Sequence, residues 1–299
     1  MRDPLFSVIL PTCDRPGSLL TCLAGLAQLG YSAEASEVVV VNDGGTLPSA
    51  TALQQAAGGL RVRVVQQERR GPAVARNAGA AQATGTFLAF IDDDCVPHWN
   101  WLAALESRLR RDPAALIGGR TVNALADQAC SDASQLLVDF LTAYHDATTP
   151  GRTRFFATSN MAVAADAFHR LGGFDAQFSY AGGEDRDFCD RWQASGGRSA
   201  FEPEAVVYHR HWLTMPGYLA QHFRYGRGAL RFHRAQVARG LKPRRTPVKF
   251  YLDLVLYPLA HRPPLAAAAR AWLLLAAQAA TAAGYCWELA SVDHGPLRG

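Results

Sequence analysis

Three aspartates stand in a row at Asp92, Asp93 and Asp94, directly after an apolar run at 87–91. Carboxylates crowded at the end of a buried strand repel one another, and only a cation or another partner offsets that cost. In extended chain Asp92 and Asp94 face one side and Asp93 the other. Such oxygen ligands suit a hard divalent ion, Mg2+ or Mn2+, which shares its shell with substrate phosphates. A second constellation is Gly182-Gly183-Glu184-Asp185-Arg186-Asp187-Phe188. Acids in the first turn of a helix complement its dipole, which accounts for Glu184 and Asp187. Asp185 differs, because helical spacing puts it on one face with Phe188, Cys189 and Trp192. A partly desolvated carboxylate there is a candidate general base, ahead of Glu184. The third constellation is Tyr208-His209-Arg210-His211-Trp212. Two histidines on one side of a strand end, in a chain with a candidate cation site, make His209 the expected nitrogen ligand and His211 the reserve. Asn42-Asp43-Gly44-Gly45 is first of all a turn signal, which by itself explains Asp43.

Regular elements must hold these groups in place. Apolar runs at 6–10, 38–41, 62–65 and 87–91 have the composition of buried strands, although 62–65, flanked by Arg61 and Arg63, belongs nearer an edge. Helical stretches lie between them at 17–28, 49–57 and 72–83, the last opened by Pro72 and followed by Gly85. Alternation at this pitch implies βαβ units, a mostly parallel sheet, and ligands beyond the carboxyl ends of the strands. Asp43 and Asp92–Asp94 follow such runs directly. Further along, helices are expected at 99–111, 130–144, 184–195, 218–239 and 265–290, with short strands at 160–164 and 205–208. The expected organisation is a catalytic domain over 1–215 and a helical region over 216–299.

The 299 residues carry a net charge of +4, with 49% hydrophobic and 19% charged, which excludes a disordered, collagen-like or coiled-coil chain. Six cysteines without a CxxC pair or zinc-like spacing are expected as free thiols in a reducing cytosol. The first residues show no secretory h-region, so a cytoplasmic protein is expected. Neither GxxxxGK[ST] nor GxGxxG occurs. The charge is unevenly placed: residues 210–270 hold twelve Lys or Arg against one acid, Asp253, whereas residues 1–209 hold 17 basic and 23 acidic residues. An acidic front suits a cation, and a basic back suits an anionic ligand or surface. Arg224, Arg227, Arg231 and Arg234 fall on one helical stripe, with Leu219, Phe223, Leu230 and Val237 on another. That pattern fits a surface helix meeting anionic lipid headgroups or a lipid-diphosphate acceptor, peripheral on the inner face of the cell membrane. No nucleic-acid recognition motif accompanies the arginines. The uncharged stretch 271–287 is shorter than the roughly 20 residues a spanning helix needs, so a packed or interfacial helix is expected.

Taken together, these segments resemble the family 2 glycosyltransferases of GT-A fold, over about residues 5–215. "SVILPTCDRP" is similar to the family's first strand, which implies that Pro11, Thr12, Cys13 and Arg15 cradle the nucleotide. "VVVVNDGG" resembles its second strand, implying that Asp43 contacts the base. "GPAVARNAGA" resembles the helix whose arginine, here Arg76, lies near the nucleotide. "FLAFIDDDCVP" resembles the DxD motif, implying Asp92 and Asp93 near the ribose and Asp94, with Asp92 and His209, as metal ligands. The triple aspartate leaves open which pair is the functional DxD. "TSNMAV" is similar to the segment before the acceptor site, and "GGFDAQFSYAGGEDRDFCDRW" to that with the catalytic Glu184-Asp185 pair, the base falling on Asp185. The resemblance implies an inverting transferase, dependent on Mn2+ or Mg2+. It moves a sugar from a UDP-, dTDP- or GDP-linked donor to a glycan, lipid-linked glycan or small molecule, as in cell-envelope polysaccharide synthesis. A non-catalytic nucleotide-sugar-binding module of the same fold, or a nucleotidyltransferase, is the alternative.

Overall fold

The computed structural model describes residues 5–148, 155–242 and 246–292; the remainder, including Arg244 and Arg245 of the basic stretch, lies outside the described residues. The strands are β1 (Phe6–Thr12), β2 (Ser36–Asp43), β3 (Arg61–Gln67), β4 (Phe87–Phe90), β5 (Cys95–Pro97), β6 (Leu116–Asn123), β7 (Met161–Ala164) and β8 (Ser199–His209). They form one sheet in the order β3-β2-β1-β4-β7-β6-β8-β5. The four strands from β3 to β4 are mutually parallel, linked by α1 (Pro16–Ala27), α2 (Ala50–Ala57) and α3 (Pro72–Gln82). β7 then runs antiparallel to β4 and β6, β8 parallel to β6, and β5 antiparallel to β8. The expected α/β architecture is therefore present, its sheet parallel in the first half and mixed in the second. The flanking arginines explain the place of β3: Arg61 and Arg63 sit on the edge strand, while the valines of β2 are wholly buried.

The remaining helices are α4 (Trp101–Arg111), α5 (Ala129–Thr148), α6 (Ala165–Arg170), α7 (Glu184–Ala194), α8 (Met215–Ala238), α9 (Val248–Leu256), α10 (Pro258–His261) and α11 (Pro264–Val292). Contacts divide the described residues into two compact units. The first draws on residues 5–124, 155–179 and 185–210, and the second on 125–148, 180–184, 211–242 and 246–292.

In the first unit the sheet packs through Phe6, Val8, Leu10, Ala89 and Ile91 against α1 and against Trp101, Leu105 and Leu109 of α4. β5 and β6 were not expected from the sequence. β6 carries Gly118-Gly119, which weakens a strand signal, and both glycines exist for close approach. A Cβ on Gly118 would lie 1.9 Å from Phe156, and one on Gly119 2.3 Å from the Ala205 carbonyl. There the β6–β8 register shifts, and Asn160, 2% exposed, repairs the gap. Its Nδ2 donates to the carbonyls of Arg120 (3.0 Å) and Ala205 (2.8 Å), and its Oδ1 accepts from Trp101 Nε1 at 2.9 Å.

The second unit holds α5, α8, α9, α10 and α11. α8 and α11 approach closely because each offers a glycine: a Cβ on Gly226 would meet Thr281 O at 1.9 Å, and one on Gly284 would meet Phe223 O at 1.9 Å. Phe140, Leu254 and Leu274 form one core with Phe250 and Tyr257 around it. Two buried carboxylates cross-brace the helices. Asp132 of α5 accepts from Arg262 (2.5 Å) and from Arg270 of α11 (2.9 Å); Glu288 of α11 accepts from Arg227 (2.6 Å) and Arg231 (2.8 Å) of α8. Burial pushes both carboxyls up, but their arginines outweigh it and hold each below its ordinary range. The four-arginine stripe expected as a solvent-facing surface is thus broken. Arg227 and Arg231 turn to Glu288, Arg227 lies between the Tyr180 ring (4.6 Å) and the Trp287 ring (4.4 Å), and Val237, of the apolar stripe, is 60% exposed. Glu288, distant in sequence, is the reason.

Two predictions follow from these braces. Asn160→Ala leaves a buried indole N–H and two carbonyls without partners, and should cost about 3 kcal/mol of stability in denaturant unfolding; a loss below about 1 kcal/mol would contradict the bracing role. His222 of α8 is 2% exposed, lies against Tyr218 at 4.5 Å, and its Nε2 makes no hydrogen bond. Burial lowers its pKa to about 4. The folded protein therefore resists protonating it, so this contribution is intact above the unfolded histidine range near 6.5 and is lost as pH falls toward 4, by about 3 kcal/mol. His222→Phe should flatten the stability–pH curve over that window; an unchanged curve would remove the histidine as its cause.

Candidate active site

β4 ends at Phe90, and the chain turns at once through Asp92–Asp94, with Cys95 N donating to Asp92 O at 3.0 Å. Each carboxylate meets a partner from a different element. Arg76, on the buried face of α3 among Ala73, Gly79 and Ala80, reaches Asp92 Oδ1 through Nη2 at 2.6 Å. Thr12 at the end of β1 donates to Asp93 Oδ2 at 2.7 Å. Arg15, at the mouth of α1, bridges Asp93 Oδ1 (3.1 Å) and Asp94 Oδ2 (2.9 Å) with one nitrogen. His209 closes the far side, Nε2 lying 3.1 Å from Asp94 Oδ1. It arrives there because β5 and β8 pair in the register Cys95↔His209, and Arg210 N donates to Asp94 O at 2.7 Å.

This is a strongly polarised cluster. Asp93 is pushed up to about 6, first by burial, with Arg15 opposing and Asp94 and Asp92 adding repulsion. Burial pulls His209 down, yet the hydrogen bond and charge of Asp94, with the charge of Asp92, overcome it and leave the imidazole above its ordinary value. Cys95 completes a group whose ligand atoms all lie within 4.8 Å of one another, Asp94, Cys95 and His209. Its thiol is pushed well above its usual range by burial and the nearby aspartates, so it stays protonated. What remains is a carboxylate oxygen and an imidazole nitrogen, with a guanidinium standing on the carboxylates where a cation would. That donor set fits Mn2+ or Mg2+. Asp92, also expected as a ligand, is held by Arg76. His211 belongs to the second unit, where its carbonyl accepts from Ser131.

Asp43 ends β2 and serves as a staple: Oδ1 accepts from Arg70 N and from Gln67 Nε2, each at 2.7 Å, and Oδ2 from Gly71 N at 2.8 Å. Gly71, at φ +93°, has no room for a side chain, since a Cβ would lie 2.4 Å from Ser179 O. Cys13 donates to Asp43 O at 3.2 Å, and Pro11 and Thr12 pair in register with Val41 and Asn42 of β2. The β1 and β2 mouths are thereby joined. Asp14 (φ +55°), not singled out from the sequence, accepts from Thr46 N at 3.0 Å and pairs with Arg69.

Asp185 opens α7 after Glu184, and the two differ. Glu184 is 3% exposed and its Oε2 accepts from Gly182 N at 2.7 Å, whereas Asp185 is only partly buried and accepts from Arg186 N at 2.9 Å. The face predicted for Asp185 is the packed one: Phe188, Cys189 and Trp192 are all buried. The Phe188 ring lies 4.9 Å from that of Phe174, tilted at 43°, and Phe174 lies 5.3 Å from Phe90, two residues before Asp92. Asn77, beside Arg76, receives Phe174 N at 2.9 Å and donates to Phe174 O at 2.7 Å. Asp187, read as a dipole complement, is fully buried and anchors Arg191 at 2.7 Å, which in turn reaches the carbonyls of Leu171 and Gly173. Asn77 and Asp187 were missed as positioning residues; polar residues on the buried faces of α3 and α7 were the available signal.

The family model for glycosyl transferase family 2 matches residues 7–172, and that for the N-terminal domain of galactosyltransferase matches residues 140–213. The pre-mycofactocin glycosyltransferase of Mycobacterium tuberculosis is 28% identical over 210 residues, 69% of this chain and 44% of that protein. The succinoglycan biosynthesis protein ExoM of Rhizobium meliloti is 32% identical over 204 residues, 66% of this chain and 64% of its own length. The chain thus spans less than half of the mycobacterial relative. The mannosyltransferase PcManGT from Pyrobaculum calidifontis, solved with GDP-Man and Mn2+, superposes with a TM-score of 0.61 at 23% identity, covering 99% of this chain and 77% of that one. GalNAc-T7 with UDP, GalNAc and Mn2+ gives 0.54 at 17% identity, covering 83% and 54%. The fold is GT-A.

Arg15→Gln removes the guanidinium that separates Asp93 from Asp94, and since Arg15 is half-exposed the cost should be about 1 kcal/mol. The expected signature is a larger Mn2+-induced rise in melting temperature for the variant than for the parent. Equal shifts would mean that the guanidinium and the ion do not share these carboxylates.

Proposed function

The chain belongs to glycosyl transferase family 2, and on that footing we propose that it transfers a sugar from a nucleoside-diphosphate donor to an acceptor hydroxyl with inversion at the anomeric carbon. The observation that carries this reading is the convergence of Thr12, Arg15, Arg76 and His209 on three consecutive carboxylates at a strand end. Structural relatives solved with GDP-Man and Mn2+, and with UDP, GalNAc and Mn2+, support a nucleotide-linked donor and a divalent ion. The succinoglycan biosynthesis relative supports a glycan or lipid-linked glycan of the cell envelope as acceptor.

In this reading Asp94 and His209 would hold the ion, and Asp92 would assist them. When bound, the ion neutralises charge gathering on the departing diphosphate. Pro11, Thr12, Cys13 and Asp43 border the nucleotide, and Arg76 fixes Asp92 toward the ribose. Asp185 is the general base: Glu184 is 3% exposed and spends Oε2 on the loop before it, whereas Asp185 is only partly buried. The acceptor oxygen forms its bond to the anomeric carbon as Asp185 takes the hydroxyl proton. On the opposite face the bond to the diphosphate oxygen breaks, and the nucleoside diphosphate leaves with the electron pair. No protein nucleophile is required.

Asp185→Asn should lower transfer from the nucleotide-sugar by roughly a thousandfold in the presence of Mn2+, with donor affinity in titration calorimetry nearly unchanged. Retained turnover in that variant would remove Asp185 from the reaction. Donor binding without turnover by the parent chain, across a panel of acceptors, would favour a binding module instead.

A further inference from the structure

α11 has the polarity of a water-facing helix turned inside out. It contains two ionised residues, Arg270 and Glu288, and both point inward, to Asp132 and to Arg227 with Arg231. Among its described residues classed as exposed, none carries a charge; they include Leu265 (91% exposed), Trp272 (59%), Leu275 (56%) and Trp287 (48%). Within Pro264–Ser291 an 18-residue window reaches a mean hydropathy of 1.3, and only 22% of that window is buried. α9 shares the outward apolar face, with Lys249 and Asp253 paired at its surface. Its inward residues Phe250 and Leu254 share the core of Phe140 and Leu274, while Val248, Leu252 and Leu256, at i, i+4 and i+8, are more than half exposed. A water-soluble helix places its charges outward and its leucines inward. On α11 the two charges turn inward while Leu265, Leu275 and Leu289 face outward, and on both helices the exposed apolar side chains exceed what single scattered residues explain.

We propose that the outward faces of α9 and α11 dock on the surface of an anionic lipid bilayer, with both helices lying in the interface and not crossing it. Three observations select this occupant. Charge points to an anionic partner: residues 210–270 hold twelve basic residues, and with Arg227 and Arg231 turned to Glu288, Arg262 and Arg270 to Asp132, and Lys249 to Asp253, the balance stays positive. A second copy of the chain docked by the same face would bring this excess against itself across a twofold axis. The faces offer bulky apolar and aromatic groups with few hydrogen-bonding partners, which suits acyl chains with Trp and Tyr at headgroup depth better than a protein rim. The opposite side of α11 packs on α8, which carries four arginines and so cannot enter hydrocarbon, and this keeps α11 in the plane. Arg224 and Lys242 are exposed basic residues of the same unit, available to the headgroups. The arginine stripe of α8 is therefore not the docking surface; the face belongs to the two helices that follow it. This inference does not depend on the transfer chemistry.

The test is flotation of the full chain with vesicles of equimolar phosphatidylglycerol and phosphatidylcholine, and with phosphatidylcholine alone, at low and high salt. The chain should float with the anionic vesicles, less so at high salt, and remain below with neutral ones. Trp272→Glu with Leu275→Glu, and separately Val248→Glu with Leu252→Glu, should each weaken partition by roughly tenfold or more. Their melting temperatures and nucleotide-sugar affinities should match the parent, because all four side chains are solvent-facing. A parent chain that fails to float, or glutamate variants that float as well as it does, would overturn the proposal. So would sedimentation showing a parent dimer that these substitutions dissociate without any vesicle binding.

Discussion

The site depends on one electrostatic problem and its solution. Three consecutive carboxylates at the end of a buried strand would repel each other and be costly to keep ionised. Each is instead met from a separate element: Asp92 from α3, Asp93 from β1, Asp94 from β8, with Arg15 shared between the last two. The order of the sheet makes this possible. β1 lies beside β4, so the loop after β1 falls next to the loop after β4, and the antiparallel pairing of β5 with β8 returns His209 to the same end. Electrostatics and topology are therefore the same constraint seen twice.

An aromatic cluster fixes the second half of the machinery to the first. Phe90, Phe168, Phe174 and Phe188 touch ring to ring, tying α7 to the strand that ends in the aspartates. Asn77 clamps the backbone of Phe174, and Asp187 holds Arg191 against the carbonyls of Leu171 and Gly173. Polar groups at these places would be costly if left unpaired, and their pairing gives the cluster one arrangement instead of several.

Much of this was legible in the sequence because it rests on local pattern. The apolar runs located β1 to β4, and the arginines around the third run marked it as an edge. Helical spacing put Phe188, Cys189 and Trp192 on the packed face of α7, but did not show that Glu184 and Asp187 are its buried acids and Asp185 the more exposed one. What stayed hidden rests on partners far away in the chain. β6 was obscured by Gly118-Gly119, which only Phe156 and Ala205 explain. Asp43 read as a turn residue, yet its carboxylate organises the loop after β3. The arginines of α8 read as one anion-meeting surface stripe because Glu288, 57 and 61 residues later, is invisible to periodicity. Nor does any local signal reveal that residues 180–184 join the C-terminal helices in one unit.

The bracing of Asp132 has a consequence for how the chain is made. Its arginine partners lie 130 and 138 residues downstream, so during synthesis α5 leaves the ribosome long before anything can neutralise that carboxylate. The second unit therefore cannot mature until α11 is nearly complete, whereas the parallel strands β1 to β4 can assemble from the first hundred residues. A release of the nascent polypeptide ahead of α11 would strand the acid of α5 and two arginines of α8 without counterions, and quality-control proteases would meet a finished sheet beside an unfinished helical bundle.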